Sequence, residues 1–151
     1  MIKIYLHLME IGKDNYMKLI FCLDKGKGMM FFGKRQSQDK ELRQYILENI
    51  VDSQLWMTSY SAKIFEENNK IIVDNQYLDK AADNDYCFIE DGEYSTDNVD
   101  EIVLCHWNRK YPGDKFFDID LKQEGFKKES STDIVGSSHD KITIDRYLKE
   151  E

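Results

Sequence analysis

The chain has little that would mark it as a linker, a membrane span or a familiar catalyst. One proline and eight glycines among 151 residues exclude a Pro/Gly-rich disordered or collagen-like chain. No apolar run is long enough to span a bilayer. The three cysteines, Cys22, Cys87 and Cys105, are far apart and form no CxxC pair. That argues against a zinc knuckle or a thioredoxin-like motif and leaves three thiols packed as small hydrophobes. No GxSxG, HExxH, P-loop or GxGxxG is present. The opening "MIKIYLHLMEIGKDNYMKLIF" lacks a basic start followed by a clean apolar stretch, and His7, Glu10, Lys13 and Asp14 interrupt it. A secretory leader is therefore not expected, and the expected location is the cytoplasm.

What is present is a foldable core and one concentrated charge. Hydrophobic residues make up 41% and aromatics 13%, enough for a sizeable core in a single domain over residues 1–151. The net charge is -8, yet ten acids lie between Asp74 and Glu101 with only Lys80 against them. The acidity is thus local, and the remaining residues are nearly neutral. Tyr86, Phe88, Ile89 and Tyr94 are embedded in the same window. Such a block attracts a basic partner and repels nucleic acid, and its rings supply area for a desolvated contact. The expected contact residues are Asp83, Asp85, Tyr86, Glu90, Asp91, Glu93, Tyr94 and Asp97, with Asp118 and Asp120 next.

Periodicity predicts mixed elements. "IKIYLHLM" over residues 2–9, "MKLIFCL" over 17–23 and "MMFFG" over 29–33 read as strands, the last returning antiparallel after "DKGKG". Met17 is an equally plausible start, which would make the first sixteen residues dispensable. "SQDKELRQYILENIVD" over 37–52 predicts a helix capped by Ser37, with Leu42, Tyr45, Ile46, Ile50 and Val51 as its apolar stripe. Residues 55–67 are ambiguous. Strands are predicted at 70–75, 86–91, 101–107 and 116–121. "SSHDKITIDRYLKE" over 137–150 opens on a loose capping box and reads as a helix, although "ITI" weakens that reading. The expected class is α+β: a mostly antiparallel sheet packed against one or two helices.

Two constellations offer chemistry. His106, His139 and Lys141 would suit an RNA-processing enzyme, but sequence alone does not bring them together, and the acidic field opposes a polyanion. "DIDLKQE" over 118–124 resembles a cation loop but lacks the glycine and full ligand set of an EF-hand. No cofactor or metal is implied.

At "VLCHWNRKYPGDKFFDIDL" and "VGSSHDKITIDRYLK" the sequence resembles bacterial immunity proteins of contact-dependent growth inhibition, the CdiI type, which neutralise ribonuclease toxins. The resemblance spans roughly residues 86–149. It implies a cytoplasmic protein that is not an enzyme and that blocks the basic active site of a cognate toxin domain. It implies neither a nucleic-acid nor a membrane partner. The acidic window would then stand in for the substrate's phosphates.

Overall fold

A computed structural model describes residues 16–150. Its centre is the run "MKLIFCL", strand β1 (Met17–Leu23), in which Leu19, Ile20, Phe21 and Leu23 are all buried. Side chains alternate between the faces of a strand, so a run buried at successive positions must be covered on both sides. Leu19, Phe21 and Leu23 join one apolar cluster, while Ile20 joins a second on the opposite face.

The partners of β1 are β6 (Tyr86–Ile89) and β7 (Val99–His106), both parallel to it. Beyond β6 lie β4 (Leu55–Met57) and β5 (Ile71–Val73), also parallel. Beyond β7 lie β10 (Ile142–Lys149) and β9 (Phe126–Ile134), each antiparallel to its neighbour. The resulting seven-stranded order is β5-β4-β6-β1-β7-β10-β9. A second, three-stranded antiparallel sheet holds β2 (Gly28–Phe31) between β3 (Lys34–Arg35) and β8 (Lys115–Phe116).

Helix α1 (Lys40–Glu48) covers one face of the large sheet through Leu42 and Ile46, with Ile50 following just beyond its end. Asp39 starts it, its Oδ1 accepting from the Glu41 and Leu42 N–H groups at 2.9 and 3.3 Å. Lys70 closes the other end, its Nζ donating to the Leu47 and Ile50 carbonyls. Two short helices, α2 (Ser59–Ala62) and α3 (Tyr77–Lys80), follow β4 and β5. Tyr77 of α3, Met29 and Met30 of β2, Phe117 and Phe126 belong to the cluster on the other face.

The α+β class and the packing of sheet on helix are as expected. The large sheet is mostly parallel rather than mostly antiparallel, with an antiparallel outer pair, and only the small sheet is wholly antiparallel. Several local expectations differ. β2 does not pair with β1 after the turn closed by the Asp24 N–H to Gly28 carbonyl bond; it joins the small sheet, paired with β3 and β8. The helix starts at Asp39 rather than Ser37, whose hydroxyl is held by His139 instead. Val51 is 74% exposed, because α1 has ended at Asn49 and Asp52 turns the chain at φ 58°. Of residues 116–121 only Phe116 belongs to a paired strand, β8; thereafter Asp120 caps a turn through the Gln123 N–H. The C-terminal segment is strand β10, since Ile142 and Ile144 fill the sheet face that α1 covers. β9 was not foreseen. The expected strand at residues 2–9 lies outside the described residues. Among the described residues, no helix is long and apolar enough to cross a membrane.

Candidate functional site

In an open sheet with parallel strands, a ligand crevice forms outside the carboxyl ends, where loops diverge. Here a crevice of about 710 Å³ lies beyond the carboxyl ends of β5, β4 and β6. Three segments line it. Thr58, Ser59 and Tyr60 leave β4; Asn75 through Asp79 leave β5; Asp91, Gly92 and Glu93 leave β6. Asn75 Oδ1 accepts from the Ser59 N–H at 2.9 Å and ties the first two segments together. Thr58 Oγ1 accepts from the Ser61 N–H and starts α2. Gly92 takes φ 82°, a left-handed turn open to glycine, with no atom within 4 Å of where a Cβ would stand.

The lining carries Asp79, Asp91 and Glu93 and no Lys or Arg. Neighbouring cations are already engaged. Lys80 pairs with Asp74 at 2.8 Å, and Lys115 Nζ bonds the Gly92 carbonyl. Arg35 makes a two-pronged pair with Glu90, Nε to Oε2 at 2.8 Å and Nη2 to Oε1 at 2.9 Å. Ser61 Oγ donates to the same carboxylate, and the guanidinium lies 4.3 Å from the Tyr60 ring centre. Glu90 holds the Arg35 pKa above its ordinary value. Two buried side-chain oxygens of lining residues, Tyr77 Oη and Asp91 Oδ1, lack a hydrogen-bond partner, and neither is exposed to the crevice. Tyr77 is 4% exposed, and burial keeps its phenol protonated well beyond the usual range, with Cys87, Asp91 and Glu90 adding to the effect.

At the carboxyl ends of the neighbouring parallel strands β1 and β6 the chain supplies its own anions. Asp24, just past β1, accepts from the Gly26, Gly28 and Tyr111 N–H groups at 2.7 to 2.9 Å. Burial opposes its charge, but those N–H groups outweigh burial and hold the carboxyl below its ordinary range. Glu90 is the matching group past β6. A ring of backbone donors is an anion site, and here a carboxylate already fills it.

A second constellation has the outline of a nucleophile, a base and an orienting acid. Ser37 Oγ lies 3.0 Å from His139 Nε2, and His139 Nδ1 lies 2.8 Å from Asp39 Oδ2. Tyr111 Oη shares the same Nε2 at 3.2 Å, and Trp107 stacks on the imidazole. Asp39 also accepts from the Ser137 and Ser138 N–H groups. This cluster fastens the 137–139 loop onto the start of α1.

The residues expected to form one acidic face are dispersed. Asp83 and Asp85 precede β6, while Glu90, Asp91 and Glu93 follow it, about 13 Å away along the strand. Asp85 is buried and accepts from the Trp56 indole and the Gln54 and Ala82 N–H groups. Glu90 is buried against Arg35. Tyr86 is half-buried, its phenol pushed up to about 12 by burial. Tyr94 packs edge-on against Phe21 and donates to Asp118. Asp97 is exposed. Of the eight, Asp91 and Glu93 reach the crevice.

The alternative of His106, His139 and Lys141 is not assembled either. His106 pairs with Asp145 beside Leu104 and Phe117, whereas His139 stacks on Trp107, which belongs to the opposite cluster. Burial, partly offset by Asp145, lowers the His106 pKa. Among the described residues, no cluster of His, Cys, Asp and Glu suits a metal ion. The crevice residues after β4 and β5 were missed. Their signal is present as polar stretches directly after apolar triplets, "LWM" before "TSY" and "IIV" before "DNQY".

No known protein family matches the chain, and no curated protein matches it in sequence. The fold is similar to a solved dihydrofolate reductase from Enterococcus faecalis, complexed with NADP(H) and RAB-propyl. The TM-score is 0.60 at 12% identity, covering 90% of this chain and 97% of the reductase. This likeness is one of fold, and the fold is one that a small-molecule enzyme uses. It overturns the sequence-based reading of an immunity protein with a basic toxin partner and no enzyme activity. The dispersal of the acidic residues removes the physical basis of that reading as well.

Proposed function

We propose that this protein binds a small organic molecule in the crevice beyond β4, β5 and β6, and belongs with small-molecule enzymes in type. The observation that carries this is an open crevice of about 710 Å³ on the carboxyl side of three adjacent parallel strands, lined by the segments that follow each of them. Three free thiols fit a reducing compartment, and we assign the chain to the cytoplasm.

A second reading, a reductase using a nicotinamide dinucleotide, is favoured by the extent of the shared fold. The lining does not fit that cofactor. Its phosphates need cations or free N–H donors, and the crevice presents three carboxylates while Asp24 occupies the nearby N–H ring. No hydride step is therefore assigned to this crevice.

The test is a ligand-observed NMR screen of small organic fragments against the native chain and Ser59→Trp, which fills the crevice from an exposed wall position. The reading expects fragments that bind the native chain and not the variant. If every bound fragment binds both alike, the crevice is not the site.

A further inference from the structure

We propose that Cys22 and Cys105 form a dithiol that closes reversibly to a disulfide when a low-molecular-weight disulfide oxidises it. The proposal stands apart from the crevice reading, and its test reads no ligand. Its first ground is register. Cys22 of β1 and Cys105 of β7 are direct partners across the parallel pair. Partners in register point to the same face of a sheet. Here Cys105 belongs to the apolar cluster beneath α1, and Cys22 packs against that cluster. Neighbouring strands run about 4.8 Å apart, inside the Cα separation that a disulfide spans.

The second ground is the contact between the thiols. The hydrogen-bond contact with Cys105, and then burial, holds the Cys22 thiol well above its ordinary range, with negative charge at Cys105 and Glu90 adding and Arg35 opposing. Cys87 is the contrast. It pairs in register with Leu19, lies in the cluster on the opposite face and meets Met17 Sδ at 3.8 Å. The sheet separates it from the other two thiols.

The third ground is the order of exposure. Cys105 is fully buried, and Cys22 is only partly so. Cys22 therefore meets the oxidant, R–S–S–R. Its thiolate attacks one sulfur, forms a mixed disulfide and expels RS⁻. The Cys105 thiolate then attacks the Cys22 sulfur and expels the second RS⁻. The two thiol protons end on two RSH, so two electrons pass from the cysteines to the oxidant. The raised thiol slows the first step at neutral pH, and proximity favours the second. Closure draws the Cβ atoms nearer than strand spacing sets them, so the bond is strained and readily reduced. In a reducing compartment the pair rests as thiols and closes only when the thiol pool is oxidised.

The experiment incubates the reduced native chain, Cys22→Ser and Cys87→Ser with oxidised glutathione at about pH 7, 8 and 9. Free thiols are then alkylated in denaturant, and the products are read by intact mass and peptide mapping. The native chain and Cys87→Ser should each lose two hydrogen masses and yield one linked peptide joining Cys22 to Cys105. Cys22→Ser should yield no link and take up no glutathione at Cys105. The rate should rise about tenfold per pH unit, as the thiolate fraction does. Dithiothreitol should restore the dithiol. The amide spectrum of the oxidised chain should stay dispersed, with shifts centred on β1 and β7. Urea below the unfolding transition should leave the rate unchanged, whereas a reaction through the unfolded chain would accelerate. A native chain that stays reduced, stops at a glutathione adduct, links Cys87 or loses its folded spectrum overturns the proposal. So does a rate that climbs with urea or ignores pH.

Discussion

Removing the Asp39 carboxylate should be among the most damaging single changes to the fold. Its side chain is fully buried, and four backbone N–H groups donate to it, from Glu41, Leu42, Ser137 and Ser138. His139 adds a contact at 2.8 Å. Burial alone would raise its pKa; the Ser138 N–H, His139, and the Ser137 and Leu42 N–H groups outweigh burial and hold the carboxyl well below the carboxylate range. Asp39→Ala loses a helix cap, about 1 kcal/mol. It also orphans the Ser137 N–H, the Ser138 N–H and the imidazole. Water entering the gap partly meets these donors, so roughly 1 kcal/mol each is used, for a total of about 4 kcal/mol. Because the folded pKa is depressed, this stability is present above the unfolded value and is lost as pH falls through the folded one. Urea unfolding of the native chain, Asp39→Ala and Asp39→Asn at neutral pH measures the loss. Repeating it below about pH 4 should narrow the gap between native and Asp39→Asn. A loss under about 1 kcal/mol for Asp39→Ala at neutral pH would refute the cluster as the fastening of loop to helix.

Ile46→Ala should cost about 2–5 kcal/mol in the same assay, since it empties a core site beneath α1, while Val51→Ala should stay within about 0.5 kcal/mol. Glu90→Ala should cost about 3–5 kcal/mol by stranding the Arg35 charge, and Glu90→Leu with Arg35→Met should cost less than Glu90→Ala alone. Cys87, its pKa pushed up to about 12 by burial first and Asp85 second, should not react with a thiol reagent at about pH 8 until the chain is unfolded, as read by peptide mass mapping.

Much of the inner sheet is legible because its strands are apolar at successive positions, as in "MKLIFCL" and "EIVLCHW". Helix α1 is legible from Leu42 and Ile46 at helical spacing. β9 is not, because it is an edge strand. It pairs only with β10, and of "FKKESSTDI" only Phe126 is buried, so no alternation marks it. β10 misleads because Ile144, Tyr147 and Leu148 fall at helical spacing, whereas pairing with β7 and β9 decides its conformation. The acidic window is visible in sequence, but its division is not. Asp85 and Glu90 turn inward to Trp56 and Arg35, partners 29 and 55 residues away, which no local pattern announces. The crevice combines three segments after three different strands, so its lining is fixed by sheet order rather than by any single motif.

Amide chemical-shift mapping locates the bound ligand on the chain. Benzamidine, benzamide and benzoate are added in turn to the isotope-labelled native chain. The shifts caused by the binding probe should cluster at residues 58–60, 75–79 and 91–93. Shifts centred elsewhere, such as on Tyr45, Ile46 and Arg146 around the smaller depression between α1 and the sheet, would contradict the proposed crevice.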